Sequence, residues 1–79
     1  MTKEEYSSCD LNTRANLLWA DGKILNTIDY YGYKVQLYSL YSFFVQLYYD
    51  SRENKIEKIE CVTEDDLNKF INQIDLNIP

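Results

Sequence analysis

Histidine is missing from all 79 residues. That one absence removes imidazole acid–base catalysis, Ser–His and Cys–His nucleophile pairs, and histidine metal ligands. Glycine is scarce as well, with only Gly22 and Gly32, so no glycine-rich loop can cradle a phosphate. The one proline is Pro79, which leaves turns and linkers without strong punctuation. Two cysteines, Cys9 and Cys61, are too few for a disulfide framework. Cys61 lies in an apolar run and reads as a small core residue; a Cys9–Cys61 bridge is the alternative, disfavoured in a reducing cytosol.

Basic side chains are in short supply too. Eight Lys and Arg face thirteen Asp and Glu, for a net charge of −5. A nucleic-acid partner needs Lys and Arg to neutralise its phosphates, so none is expected. A basic protein surface suits the charge better. The longest uncharged run, 35–49, falls short of the ~20 apolar residues a spanning helix needs and is interrupted by Gln36, Ser39, Ser42 and Gln46. Met1-Thr2-Lys3-Glu4-Glu5 lacks the apolar core of a signal peptide. The expectation is a cytoplasmic protein without a membrane partner. At 46% hydrophobic and 27% charged, residues 1–79 read as one small globular domain.

What is abundant is Asn, Ile, Lys and above all Tyr, eight of them. All four have AT-rich codons, which points to an AT-rich bacterial or mobile-element genome. Along the chain, Asp10 is placed to cap a helix over 10–21, with Leu11, Ala15 and Leu18 as its apolar stripe, broadened by Trp19. Gly22 sits where a helix end favours a left-handed residue. Thr2-Lys3-Glu4-Glu5 has capping-box spacing and allows an earlier helical start. Residues 23–31 alternate as a strand, Gly32 turns the chain, and 33–40, 43–49 and 55–62 read as three more strands. Residues 50–54 are a polar hairpin loop. Thr63-Glu64-Asp65-Asp66 opens a final helix with Leu67, Phe70, Ile71 and Ile74 on one side.

One segment supports two assignments. Gln36, Ser39, Ser42 and Gln46 fall at helical spacing as well as in two strands, and no Gly, Asn or Pro marks a turn between Leu40 and Phe43. The crowding of Tyr and Phe over 30–49 favours strands. The expected fold is therefore α+β in the order α-β-β-β-β-α, a four-stranded antiparallel sheet with two helices on one face. Leu17-Leu18-Trp19 before Gly22, Tyr30-Tyr31-Gly32-Tyr33, and Asn54-Lys55-Ile56 opening the last strand are together similar to short bacterial proteins. That resemblance implies no activity, cofactor or site residue.

Alternation places Tyr33, Val35 and Leu37 with Phe43, Val45 and Leu47, joined by Ile24, Ile28, Ile59 and Cys61, on the helix-covered face. Leu18, Val35, Leu47, Ile59, Phe70 and Ile71 are the expected core. The other face would then gather Tyr31, Gln36, Tyr38, Phe44, Gln46 and Tyr48, beside Lys34, Lys58 and Glu60. Tyr combines apolar area with a hydroxyl and is enriched in interface cores, so these six are the expected partner-binding residues. A half-solvated sheet face is the bland account of the same residues.

No catalytic, cofactor-binding or metal residues are expected. Glu64, Asp65 and Asp66 diverge by ~100° each around a helix and serve its N-terminal dipole. Cys9 and Cys61 have no neighbouring base to activate a thiolate. The expected function is a small, acidic, non-enzymatic module that binds a protein partner or forms a homodimer, in the manner of a mobile-element inhibitor or accessory protein. The alternative is a single-stranded nucleic-acid platform built from the same aromatics.

Overall fold

The computed structural model describes residues 1–74, without the side chains of residue 69 and residues 71–74. The expected core position Ile71 and the stripe residue Ile74 thus lie outside the described side chains. Two helices come first, α1 (Lys3–Ser7) and α2 (Leu11–Asp21). Four strands follow: β1 (Lys23–Tyr30), β2 (Tyr33–Leu40), β3 (Phe43–Asp50) and β4 (Lys55–Cys61). A last helix, α3, covers Glu64–Ile74. The strands form one antiparallel sheet in the order β1-β2-β3-β4. The α+β class and the α-β-β-β-β-α order are those the sequence predicts.

Local chemistry explains each boundary. Thr2 and Glu5 exchange the reciprocal bonds of a capping box, at 3.1 and 2.7 Å. The Asp10 carboxylate accepts from the Thr13 amide at 2.8 Å and starts α2. Gly22 ends it, although at φ −81° and not in the left-handed region. Glycine is required there for space, since a Cβ would lie 2.5 Å from the Leu18 carbonyl oxygen. Gly22→Ala should therefore destabilise the fold by about 1–3 kcal/mol, the range for forced overpacking, measured as the shift of a urea-unfolding midpoint.

Two-residue turns join the first three strands. Tyr31 and Gly32 both take positive φ, 49° and 88°, as a type I′ hairpin needs. At the second turn Tyr41 sits at φ 54°, held by its hydroxyl bond to Asp21 Oδ2 at 2.7 Å and its ring contact with Phe43. Residues 36–46 are therefore two strands and a turn.

The second turn also corrects the expected faces. Because Leu40 pairs with Phe43, each odd-numbered β2 residue opposes an even-numbered β3 residue: Val35 with Tyr48, Leu37 with Gln46, Ser39 with Phe44. Val35 and Leu37 thus share a face with Tyr48 and Gln46, and not with Val45 and Leu47. A one-residue change of register exchanges every side chain between faces. Bulges shift parity again, at Leu25 between Ile24 and Asn26 of β1 and at Glu57 of β4. Ile28 is buried on the Val35 side, while Ile24 pairs with Tyr38 on the other side and stays half exposed.

Both faces are consequently apolar, and each has its own cover. On the first, Tyr6, Ala15 and Leu18 from α1 and α2 pack with Leu40, Phe43, Val45, Leu47 and Ile59. On the second, Phe70, with Leu67, packs with Ile28, Val35, Leu37, Tyr48 and Val62. The expected placement of two helices on one face is thereby corrected: α3 lies opposite α1 and α2. Burial of Leu18, Val35, Leu47, Ile59 and Phe70 agrees with the sequence; Leu11 and Trp19 of the α2 stripe are exposed instead.

Candidate functional site

The six residues expected to bind a partner do not share a surface. Gln36 and Tyr38 lie on the α2 face, where Tyr38 packs against the core and its hydroxyl donates to Gln36 Oε1 at 2.9 Å. Burial raises the Tyr38 phenol above its ordinary pKa. Phe44, Gln46 and Tyr48 lie on the α3 face. Gln46 is fully buried, with its Nε2 donating to Glu60 Oε2 at 3.1 Å. Tyr48 is 7% exposed; its ring meets Tyr33 edge-on, and Lys58 Nζ stands 4.5 Å from its centroid. Only Phe44 and Tyr31 keep substantial exposure, and Tyr31 belongs to a hairpin turn. An aromatic stacking platform needs such rings side by side in solvent. Here the register of the central hairpin separates them and α3 covers the best placed one.

The open surface lies elsewhere, on the α2 face. There α1 and α2 pack around Leu40, Phe43, Val45, Leu47 and Ile59. Towards the Tyr31-Gly32 turn the sheet stays uncovered and forms an open hollow of about 370 Å³. Its floor crosses all four strands: Thr27 from β1, Lys34 and Gln36 from β2, Leu47 and Tyr49 from β3, Ile56 from β4. Trp19, near the end of α2, forms its wall. Its apolar side comes from β3 and β4 and its polar side from β1 and β2.

Polar groups around the hollow are tied to neighbours. Lys34 Nζ pairs with Asp29 Oδ1 at 2.6 Å, both well exposed, so the pair adds little stability. The Tyr49 hydroxyl donates to Asn54 Oδ1 across the last hairpin. The Asp50 carboxylate fixes that hairpin by accepting from the Arg52 and Glu53 amides at 3.0 and 3.3 Å.

Trp19 is 60% exposed, and just after it on β1 Ile24 and Leu25 are each 50% exposed. Their exposure follows from the bulge, which turns Ile24 off the α3 face and leaves Leu25 without a partner on β2. None of the three was expected in a site from the sequence. Trp19 falls inside a helical apolar stripe, and a bulge leaves no pattern in alternation; the solitary tryptophan beside the helix-ending Gly22 is the one available signal.

Cys9 and Cys61 are both free thiols; Cys61 Sγ lies 3.5 Å from Ser7 Oγ, and Cys9 Sγ donates to the Glu5 carbonyl. The Asp66 carboxylate accepts from the Thr63 amide and hydroxyl, both at 3.0 Å, as a helix-start bond. Among the described residues no three Cys, Asp or Glu side chains are grouped to hold a metal, and no helix is long and apolar enough to cross a membrane. No protein-family model matches the chain, and no curated protein or solved structure does so either.

Proposed function

We propose that this chain is a small, acidic, non-enzymatic protein-interaction module whose contact surface is the α2–β1 junction and the hollow beside it. The supporting observation is the cluster of Trp19, Ile24 and Leu25, three large apolar side chains at least half exposed within seven consecutive residues. Apolar surface left in water at one place marks interaction sites, and Trp is among the commonest interface hot spots. The net charge of −5 directs the module to a basic partner surface. An inhibitor or accessory protein of a mobile element, occupying a basic site on its target, fits that size and charge.

The test is a double variant, Trp19→Ser with Leu25→Ser. Both positions are exposed, so circular dichroism should show an intact fold, with stability shifts within about 0.5 kcal/mol per site. Self-association in sedimentation, or capture of a partner from native lysate, should be lost. Undiminished association in the folded double variant would remove this surface from consideration.

A further inference from the structure

The hollow is more selective than its apolar lining suggests, because one cation, Lys34, and one carboxamide, Gln36, stand on its polar side. The Tyr38 hydroxyl occupies Gln36 Oε1, so the remaining capacity of that side chain is chiefly its two amide N–H groups. Lys34 spends one ammonium hydrogen on Asp29 and keeps two. The Trp19 indole nitrogen can only donate, whereas the Tyr49 hydroxyl, its proton given to Asn54, and the Thr27 hydroxyl can accept. Beside these donors lie Leu47 and Ile56. A volume of about 370 Å³ is at the small end of the range for small-molecule sites.

We propose that this hollow binds a small planar apolar carboxylate of arylacetic-acid size. Its carboxylate meets Lys34 and the Gln36 amide, and its ring lies between Trp19 and the Leu47–Ile56 floor. Hydrogen bonds from an ammonium to a carboxylate are stronger than neutral ones, so the acid is favoured over a neutral head of the same shape. The hollow is part of the contact surface proposed above and shares Trp19 with it, but this inference does not rest on that reading, because it is tested on the purified chain without a partner.

Trp19 is the only tryptophan of the chain, so its emission reports on this hollow alone. Phenylacetate is titrated against the purified protein, with phenylacetamide as the neutral probe of the same shape. Methyl NMR shifts of Leu47 and Ile56 are followed in the same titration. The expected result is a saturable response to the acid in both signals, with the amide at least about tenfold weaker. Lys34→Met, at an exposed position, should weaken the acid about tenfold and leave the amide unchanged. Asp29→Asn, which frees Lys34, should tighten the acid. The proposal is overturned if neither signal saturates, if acid and amide bind alike, or if Lys34→Met leaves the acid affinity where it was.

Discussion

Phe70→Ala is expected to cost about 3–5 kcal/mol, the range for emptying an aromatic core site. Phe70 is 1% exposed and, among the described side chains of α3, is the one fully buried against Ile28, Val35, Leu37, Tyr48 and Val62. A domain of this size has only about 5–15 kcal/mol of total stability, so a large share would go at once. At roughly 4–8 °C per kcal/mol for a small domain, the melting temperature should fall by tens of degrees. The same substitution should increase the exposure of Tyr48 and the fully buried Gln46, read as faster amide exchange in the centre of β3. Unchanged melting would mean that the α3 face is not held by this helix.

Tyr6→Ala is the matching experiment on the other face. Tyr6 is fully buried between α1 and the sheet; its ring lies 5.7 Å from that of Phe43, and its hydroxyl donates to the Arg14 carbonyl at 2.7 Å. Truncation should cost about 3–5 kcal/mol and detach α1. Tyr6 also carries a pH signature. Burial pushes its phenol from 10.0 up to about 12, against the pull of the nearby Arg14 charge. The folded chain therefore keeps the proton after the unfolded chain has lost it. Its contribution is fully present below about pH 10 and is lost as pH rises towards about 12, a decline on the order of 2 kcal/mol. Tyr38, raised by burial, and Tyr41, raised chiefly by its bond to Asp21, add in the same direction. Urea midpoints near neutral pH and near pH 11 should differ accordingly, and Tyr6→Phe should flatten most of that difference. An equal alkaline loss in Tyr6→Phe would assign it to other groups.

The elements were legible because each has a local cause: Asp10 and Thr63 as caps, Gly32 at a turn, Tyr and Phe in strands. The faces were not. Their assignment depends on whether Leu40 pairs with Phe43, and that follows from Tyr41 adopting positive φ, an unusual state for a tyrosine. No residue type announces it. The six expected partner-binding residues are divided between the faces for the same reason. Counting in twos along each strand puts Tyr48 and Phe44 with Tyr38, whereas the turn sets them on opposite sides. Bulges at Leu25 and Glu57 compound the difficulty, since each displaces alternation by one without altering composition. The hollow was further out of reach, because it exists only where α2 stops short across the sheet.

The split of the two covers between the ends of the chain has a consequence for how the molecule comes into being. The sheet is complete at Cys61, and α1 and α2 precede it, so the face they cover is closed by the chain up to that point. Ile28, Val35, Leu37 and Tyr48 on the other face stay uncovered until Phe70 docks. A folding intermediate without that last contact exposes the α3 side of the sheet and can aggregate there. An apolar chaperone surface that holds that side would act just before the last helix docks.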